Sequence, residues 1–548
     1  MKYTNPVVRG FYPDPSVCSA EGRYYLVASS FQYFPGVPLF ESEDLVNWKQ
    51  IGHVLTRPSQ VMLDKVRSSG GVFAPTIRYN DGRFYMVTNN NSTNENFYVY
   101  TDDIYGEWSD PVIVDQGGID PSLYFEDGHT YFISNGQDAH GKNGIIQCEI
   151  DIATGKKLSE SVCIWTGAGG RYIESPHMYR IREYYYLIVA EGGTEYGHMI
   201  AYSRSTSVWG PFENYPGNPV LTNRNKAPYT LQGIGHGDLI CKDSEWFMLC
   251  LGFRQIHLWE PYHHLGREIF LTPVQWTDDG WFTCGNDGTT DWEYEIAGDG
   301  MQERKNLYTF NNTDWNLDWC YLRKPNPANY EFPAENQVVL TGCNLTLEDV
   351  DSPTFLGIRQ VDFDMTLTCD IAIKTTSGPA DVHDQTANVQ NNYIQQVNSD
   401  TISDHSSSKN SIRPAAGITI YMCENEHYDL LIRPRTGSTD TNTDNDSGKT
   451  LDGTAAYEAV LRLNIGDIKH EQCCVLISDP HTTFKITSDP LEYHFSIIHD
   501  GQETVLGSAR SKYLSSEVSS GFTGVMIGLF AEGNIRGTFT NYSCSYHC

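Results

Sequence analysis

The chain has 548 residues and carries 69 Asp and Glu against 38 Lys and Arg, a formal net charge of −31 at neutral pH. Phosphates are repelled by so acidic a protein, which argues against nucleic acid or an anionic membrane as partner and leaves a neutral ligand such as a sugar better suited. No apolar run approaches the roughly 20 residues that span a bilayer, and the length gives room for two or more domains.

Many short strands joined by tight turns are expected from 34 Tyr, 23 Phe, 11 Trp and 48 Gly together with a shortage of long helical patterns. A diverged repeat runs through the first 300 residues. Its clearest strand recurs as Gly22–Ser29, Gly82–Thr88, Thr130–Ser134, Tyr184–Val189 and Glu245–Leu251, and most copies follow polar turn residues such as Asp81-Gly82 and Asp127-Gly128. About ten residues upstream of each lies a short polar or proline-containing motif: Asp14-Pro15, Ala74-Pro75, Asp120-Pro121, Glu174-Ser175-Pro176 and His236-Gly237-Asp238. Two further strands follow each, as in Leu39–Trp48 and Phe97–Trp108. Five units of four strands predict an all-β, five-bladed β-propeller over residues 1–300. The first strand of each blade then faces the axis, so Asp14, Asp120 and Glu174 converge on one mouth of the channel as carboxylates in equivalent places of the repeat. A β-sandwich, the alternative for this region, scatters them.

The repeat stops near Gly300. From 301 to 548 a different alternating pattern predicts a β-sandwich or jelly roll, with strands that include Asp362–Ala372, Ala416–Cys423, Ala456–Leu463, Tyr493–His499 and Gly524–Phe530. Thr375–Ser411 and Thr436–Gly453, rich in Ser, Thr, Asn, Asp and Gly, are expected as long exposed loops. Fourteen cysteines form no Cys-x-x-Cys pair, and several lie in strand-like runs. With no apolar signal core in Met1–Pro6, this predicts reduced thiols in a cytoplasmic protein; the alternative is a secreted protein whose leader has been removed. The sequons at Asn91, Asn311, Asn344, Asn445 and Asn541 are of a kind that arises often by chance.

Paired carboxylates on rigid strands suit general acid–base cleavage of an acetal. An inverting glycosidase needs one acid for the leaving oxygen and one base for water, roughly 6.5–9.5 Å apart. At this point the sequence resembles family 43 glycoside hydrolases, in particular the intracellular-type β-xylosidases that often also cleave α-L-arabinofuranosides. Phe11-Tyr12-Pro13-Asp14-Pro15-Ser16, Ser29–Pro38, Ala74-Pro75-Thr76-Ile77-Arg78-Tyr79, Gly118-Ile119-Asp120-Pro121-Ser122, Ala190–His198 and His264-Leu265-Gly266-Arg267-Glu268 carry the resemblance, which covers nearly the whole chain. It implies that Asp14 is the base, Glu174 the acid and Asp120 the residue that tunes and positions it. It further implies that Phe31, Phe73, His236 and Arg267 line the pocket, and that Phe522 reaches in from the second domain to narrow it.

The implied enzyme is exo-acting and inverting, and releases terminal D-xylose from β-1,4-xylooligosaccharides, with α-L-arabinofuranosidase as a second or main activity. Small xylo- or arabino-oligosaccharides are its expected partners, no cofactor is required, and the family implies dimers or tetramers. Family members can hold a calcium ion on the axis near the histidine that corresponds to His236, although a single histidine without surrounding carboxylates is more often structural. Three departures stand out: Phe73 in place of Trp, Gln32 in place of Glu, and Ser175 in place of the Gly after the acid. Taken alone, Asp14 reads as a turn former, Arg267 as the ion-pair partner of a nearby acid, and Phe522 as sandwich core. A retaining fructosidase lacks support because its Asn-Asp-Pro-Asn and Glu-Cys signatures are absent, and a noncatalytic sugar-binding propeller has no need of three acids.

Overall fold

The computed structural model describes residues 1–226, 229–257, 259–298, 300–310, 315–376, 412–435 and 456–547. Five four-stranded antiparallel sheets follow one another along the first half of the chain, the innermost strands being Ser16–Ala20, Thr76–Asn80, Ser122–Glu126, Glu174–Ile181 and Leu231–Lys242. Each sheet is a meander of successive strands, with the short strand Tyr33–Phe34 left out of the first, so every blade forms from contiguous sequence. The aromatic and branched runs in the second strands are buried on both faces because a propeller strand packs against blades on either side. Tyr25 and Val27 of the first blade meet Phe84 and Met86 of the second, and Val17 and Leu26 meet Leu249 and Ile269 of the fifth, which closes the ring. That closure is stitched by the first residues of the chain: Lys2–Thr4 pairs antiparallel with Glu293–Glu295. The Asn5 side chain donates to the Leu271 carbonyl at 3.0 Å and accepts from the Leu271 N–H at 2.9 Å.

Beyond residue 306 the strands form two stacked antiparallel sheets, one of eight strands and one of six, around a single apolar core. Predicted and observed strands agree closely, as with Ala415–Cys423 for Ala416–Cys423. Gly524–Phe530 shifts to Met526–Glu532, because the first residues of that segment turn toward the propeller instead of joining the sheet. Residues 377–411 and 436–455, where long loops are expected, lie outside the described residues. The two domains touch closely: Val525 N–H donates to the His264 carbonyl at 2.9 Å, and a Cβ on Gly266 would lie 2.9 Å from the Gly524 Cα. Tyr33–Phe34 of the propeller also pairs with Tyr321–Leu322.

The inner strands are tied across the axis by one buried charge cluster. Asp238 of the fifth blade accepts from Ser16 Oγ at 2.6 Å in the first, from both terminal nitrogens of Arg78 in the second at 2.9 and 3.2 Å, and from the Tyr179 hydroxyl in the fourth. Arg78 also contacts His177 Nδ1 at 2.8 Å. Burial opposes ionisation of Asp238, but the Arg78 guanidinium and His177 outweigh it and hold the carboxyl well below the usual range. Asp238→Ala is expected to cost about 3–5 kcal/mol, since it strands a buried guanidinium. A fall in the thermal denaturation midpoint checks this, and an unchanged midpoint refutes the cross-blade tie.

Candidate active site

Equivalent positions of the blades can be read from the pairing of first and second strands. Ser16, Thr76, Ser122, His177 and Asp238 each face the residue eleven further on. Two residues before them stand Asp14, Ala74, Asp120, Ser175 and His236. Four of these five have a left-handed backbone, with φ of +57° for Asp14, +52° for Asp120, +54° for Ser175 and +49° for His236. Asp and His tolerate that conformation better than most residues. It turns the chain end of each inner strand toward the axis.

Glu174 is therefore not in the place of Asp14 and Asp120, as the sequence spacing suggested. It stands one residue earlier, equivalent to Phe73 and Ile119, where the strand is bulged between Glu174 and His177. Successive strand residues point to opposite sides, and the irregular register brings the Glu174 side chain to the same cavity from a different direction. Ser175, not Glu174, occupies the left-handed position. Glycine would be at ease there, whereas Ser175 bears the backbone strain and its buried Oγ has no hydrogen-bond partner. Its N–H is used, donating to Asp120 Oδ2 at 3.1 Å.

Asp14, Asp120 and Glu174 line one cavity of about 510 Å³. Phe31, Phe73, His236, Arg267 and Phe522 line it too, so the eight residues assigned to the site from the sequence meet at this one place. Asp14 is 6 % exposed and accepts from Ser29 Oγ at 2.6 Å and from Arg267 Nη1 at 2.7 Å. Burial tends to raise its pKa, but Arg267, His236 and Ser29 prevail and hold it below the ordinary carboxylate value. Glu174 behaves oppositely. Burial and the nearby Asp14 charge push it up to about 7 against the pull of Arg267. Burial, then Glu174 and Asp14, raise Asp120 well above the usual carboxylate range, and Asp120 and Glu174 titrate as a pair.

One wall is aromatic. Phe31 stacks on Phe522 at 6.2 Å between centroids and tilts against Phe73 at 5.3 Å. Phe522 comes from the sandwich, is 39 % exposed, and is not part of that domain's core. Arg267 does pair with Asp14, and its other contacts give the pairing a wider role: Nη1 also donates to Thr194 Oγ1 at 2.9 Å and Nη2 to the Phe522 carbonyl at 3.1 Å. Gln32 lies behind the wall, accepting from the Ser69 N–H at 2.9 Å.

Several lining residues carried no recognised signal in the sequence. Glu517 of the short helix Ser516–Ser519 reaches from the sandwich to His263 Nδ1 at 2.6 Å and accepts from Tyr196 Oη at 3.1 Å. Tyr172, 63 % exposed, stands at the rim two residues before Glu174. Tyr196 lay within a motif quoted for the resemblance, but nothing local in sequence connects it to a glutamate 321 residues away.

His236 is buried, with Nδ1 3.7 Å from Asp14 Oδ1 and the cationic Arg267 close by. Calcium takes six to eight oxygen ligands. Here the imidazoles of His236, His177 and His198 stand near one carboxylate, Asp14, whose oxygens are already engaged by Arg267 and Ser29, so these residues do not form such a cage. Among the described residues, the side chains that do come within reach of one another as metal ligands are Asp479, His499 and Asp500 of the sandwich.

Residues 3–282 match the family model for glycosyl hydrolases family 43, and residues 308–380 and 405–543 match that for a beta xylosidase C-terminal concanavalin A-like domain. A non-reducing end alpha-L-arabinofuranosidase of Bacteroides ovatus, BoGH43B, is 35 % identical, with 97 % of this chain and 92 % of the relative covered. A xylosidase/arabinosidase of Butyrivibrio fibrisolvens is 31 % identical over 99 % of this chain and 98 % of its own. Among solved structures, that of Bacteroides ovatus GH43B superposes with a TM-score of 0.84 at 33 % identity, each chain covered in full. With a buried, charge-paired carboxylate and a proton-holding carboxyl on one cavity of a five-bladed propeller, and with these matches along both domains, the chain belongs to family 43 of the glycoside hydrolases.

Proposed function

We propose that the protein is an exo-acting, inverting glycosidase that releases terminal D-xylose from β-1,4-xylooligosaccharides and also hydrolyses α-L-arabinofuranosides. The observation that carries this reading is the placing of two carboxyls on one cavity in opposed surroundings, Asp14 paired with Arg267 and held ionised, Glu174 raised by burial and the Asp14 charge to about 7. Asp14 takes a proton from water as the water oxygen bonds to the anomeric carbon. Glu174 gives its proton to the departing glycosidic oxygen as that bond breaks. One displacement on the face opposite the leaving group inverts the anomeric configuration.

Asp120 tunes the acid and, through the Ser175 N–H, fixes the backbone next to Glu174. Phe31, Phe73 and Phe522 offer an apolar wall to a sugar face, and Arg267 and His236 complete the pocket around the terminal residue. In this reading the sandwich segment from Ser516 to Phe522 helps close the site, which suits a chain end better than the middle of a polymer. Phe73, lacking an indole N–H, alters recognition of the leaving group and not the reaction. A second reading, with arabinofuranosidase as the main activity, is favoured by the similarity to the alpha-L-arabinofuranosidase of Bacteroides ovatus.

No part of this chemistry routes through a metal. The described cysteines are free thiols, which suits action in the cytoplasm on oligosaccharides. Assembly into a dimer or tetramer is part of the same proposal, by family resemblance. No described helix is long and apolar enough to cross a membrane.

Glu174→Ala and Asp14→Ala are each expected to lower kcat on xylobiose by about 10²–10⁴-fold. Proton NMR of products formed early from xylobiose and from an arabinofuranoside reports substrate and stereochemistry together. Retained configuration, or full activity in either variant, ends the reading. Because Glu174 must hold its proton, kcat/KM should fall as pH rises through about 7. Because Asp14 must be ionised, it should fall again only when pH drops below the usual carboxylate range. A profile that stays flat from pH 6 to 9 contradicts the acid's assignment. Arg267→Met should raise the Asp14 titration by roughly 1–3 pH units, as read by carbon-13 NMR of the labelled carboxyl; an unmoved titration means that Ser29 and His236 suffice.

A further inference from the structure

Glu191 ends the second strand of the fourth blade, next to Ala190, which lies directly across from Glu174. It is 1 % exposed, yet among the described residues no cation pairs with it. Its carboxylate is spent on backbone instead: Oε1 accepts from the Ala168 N–H and Oε2 from the Gly170 N–H, both at 2.6 Å. Such short bonds from amides to a buried carboxylate are among the stronger ones a protein makes. The glycines of this loop make room for it. A Cβ on Gly167 would lie 2.2 Å from Oε1, and one on Gly170 would lie 2.4 Å from Oε2. The following residue is latched as well, since the Arg171 carbonyl accepts from the Gly192 N–H at 2.7 Å and Arg171 Nε donates to the Gly192 carbonyl at 2.9 Å.

The loop held in this way runs directly into Glu174. Among the described residues nothing hydrogen-bonds the Glu174 carboxyl, so its place over the cavity is set by its backbone. That backbone is gripped on both sides, by Glu191 at Ala168 and Gly170 and by Asp120 at Ser175. We propose that Glu191 is the positioning residue of the acid, a buried clamp that shapes the Gly167–Ile173 loop and thereby aims Glu174 at the leaving oxygen. This rests on the assignment of Glu174 as the acid. Asp14 lies on another blade and is held by Ser29 and Arg267, so the clamp acts on one half of the reaction and not on the other.

Glu191→Gln keeps the side chain's size but turns one acceptor into a donor facing an N–H. Its signature follows from leaving-group chemistry: a 2,4-dinitrophenolate departs without a proton, whereas a sugar hydroxyl needs one. In the full-length enzyme, Glu191→Gln should lower kcat on xylobiose roughly 10–100-fold, a fraction of what the acid itself supplies, with KM little changed. Turnover of 2,4-dinitrophenyl β-D-xyloside should stay within about threefold of wild type; the matching α-L-arabinofuranosides serve if arabinose is preferred. Gly170→Ala, which presses on the same contact from the loop side, should give the same split and stands in if Glu191→Gln does not fold. Equal losses on both substrates, or no loss on either, overturn the proposal. Glu174→Ala is the reference: if it shows the split and the Glu191 and Gly170 variants do not, the clamp is wrong and the acid stands, whereas no split in Glu174→Ala itself removes the acid.

Discussion

The arrangement turns on the pairing of Arg267 with Asp14, made where both are shut off from solvent. A carboxylate buried at the mouth of a propeller would take up a proton and lose its use as a base; a guanidinium at 2.7 Å keeps it charged. The same guanidinium reaches Thr194 of the fourth blade and the main chain of Phe522 in the sandwich. One cation thus fixes the charge of the first blade's acid, a loop two blades away and the lip of the second domain. Burial and then the Asp14 charge raise Glu174 against the pull of that same guanidinium, so the two carboxyls are shifted in opposite directions within one cavity.

Beneath this lies a backbone device repeated around the ring. In four of five blades the residue two before the paired inner strand is left-handed, and the position holds Asp, Asp, Ser and His. The same kink presents Asp14 in the first blade and Asp120 in the third. In the fourth blade the acid is displaced by one residue and approaches over a bulge, so it comes from a different side. A strict repeat would have pointed three like groups inward in the same way; acid and base chemistry on one bond needs them to differ.

The sandwich contributes more than a companion fold. Glu517, on the short helix Ser516–Ser519, and Phe522, between that helix and the strand Met526–Glu532, arrive at the cavity from a segment held by Gly524 packed on Gly266 and by the Val525–His264 hydrogen bond. Only backbone without side chains can come so close, which explains two glycines meeting at the interface.

The sequence by itself determined the architecture, because a propeller blade is a local meander: its strands are contiguous, their burial on both faces writes unbroken aromatic and branched runs, and the turns between them are spelled Asp-Gly. It also singled out Asp14 and Asp120, since they recur in one motif. The tertiary structure decided what crosses between blades and domains. The offset of Glu174 depends on a bulge that strand pairing reveals and spacing conceals. Glu517, the grip of Glu191 on the loop before Glu174, and the cross-axis joining of Arg78 to Asp238 depend on side chains that local sequence does not bring together. A charge's state, too, belongs to its surroundings: Asp14 and Glu174 are both plain carboxylates in sequence, and only burial beside Arg267 or beside another carboxylate moves one below and the other above its ordinary value.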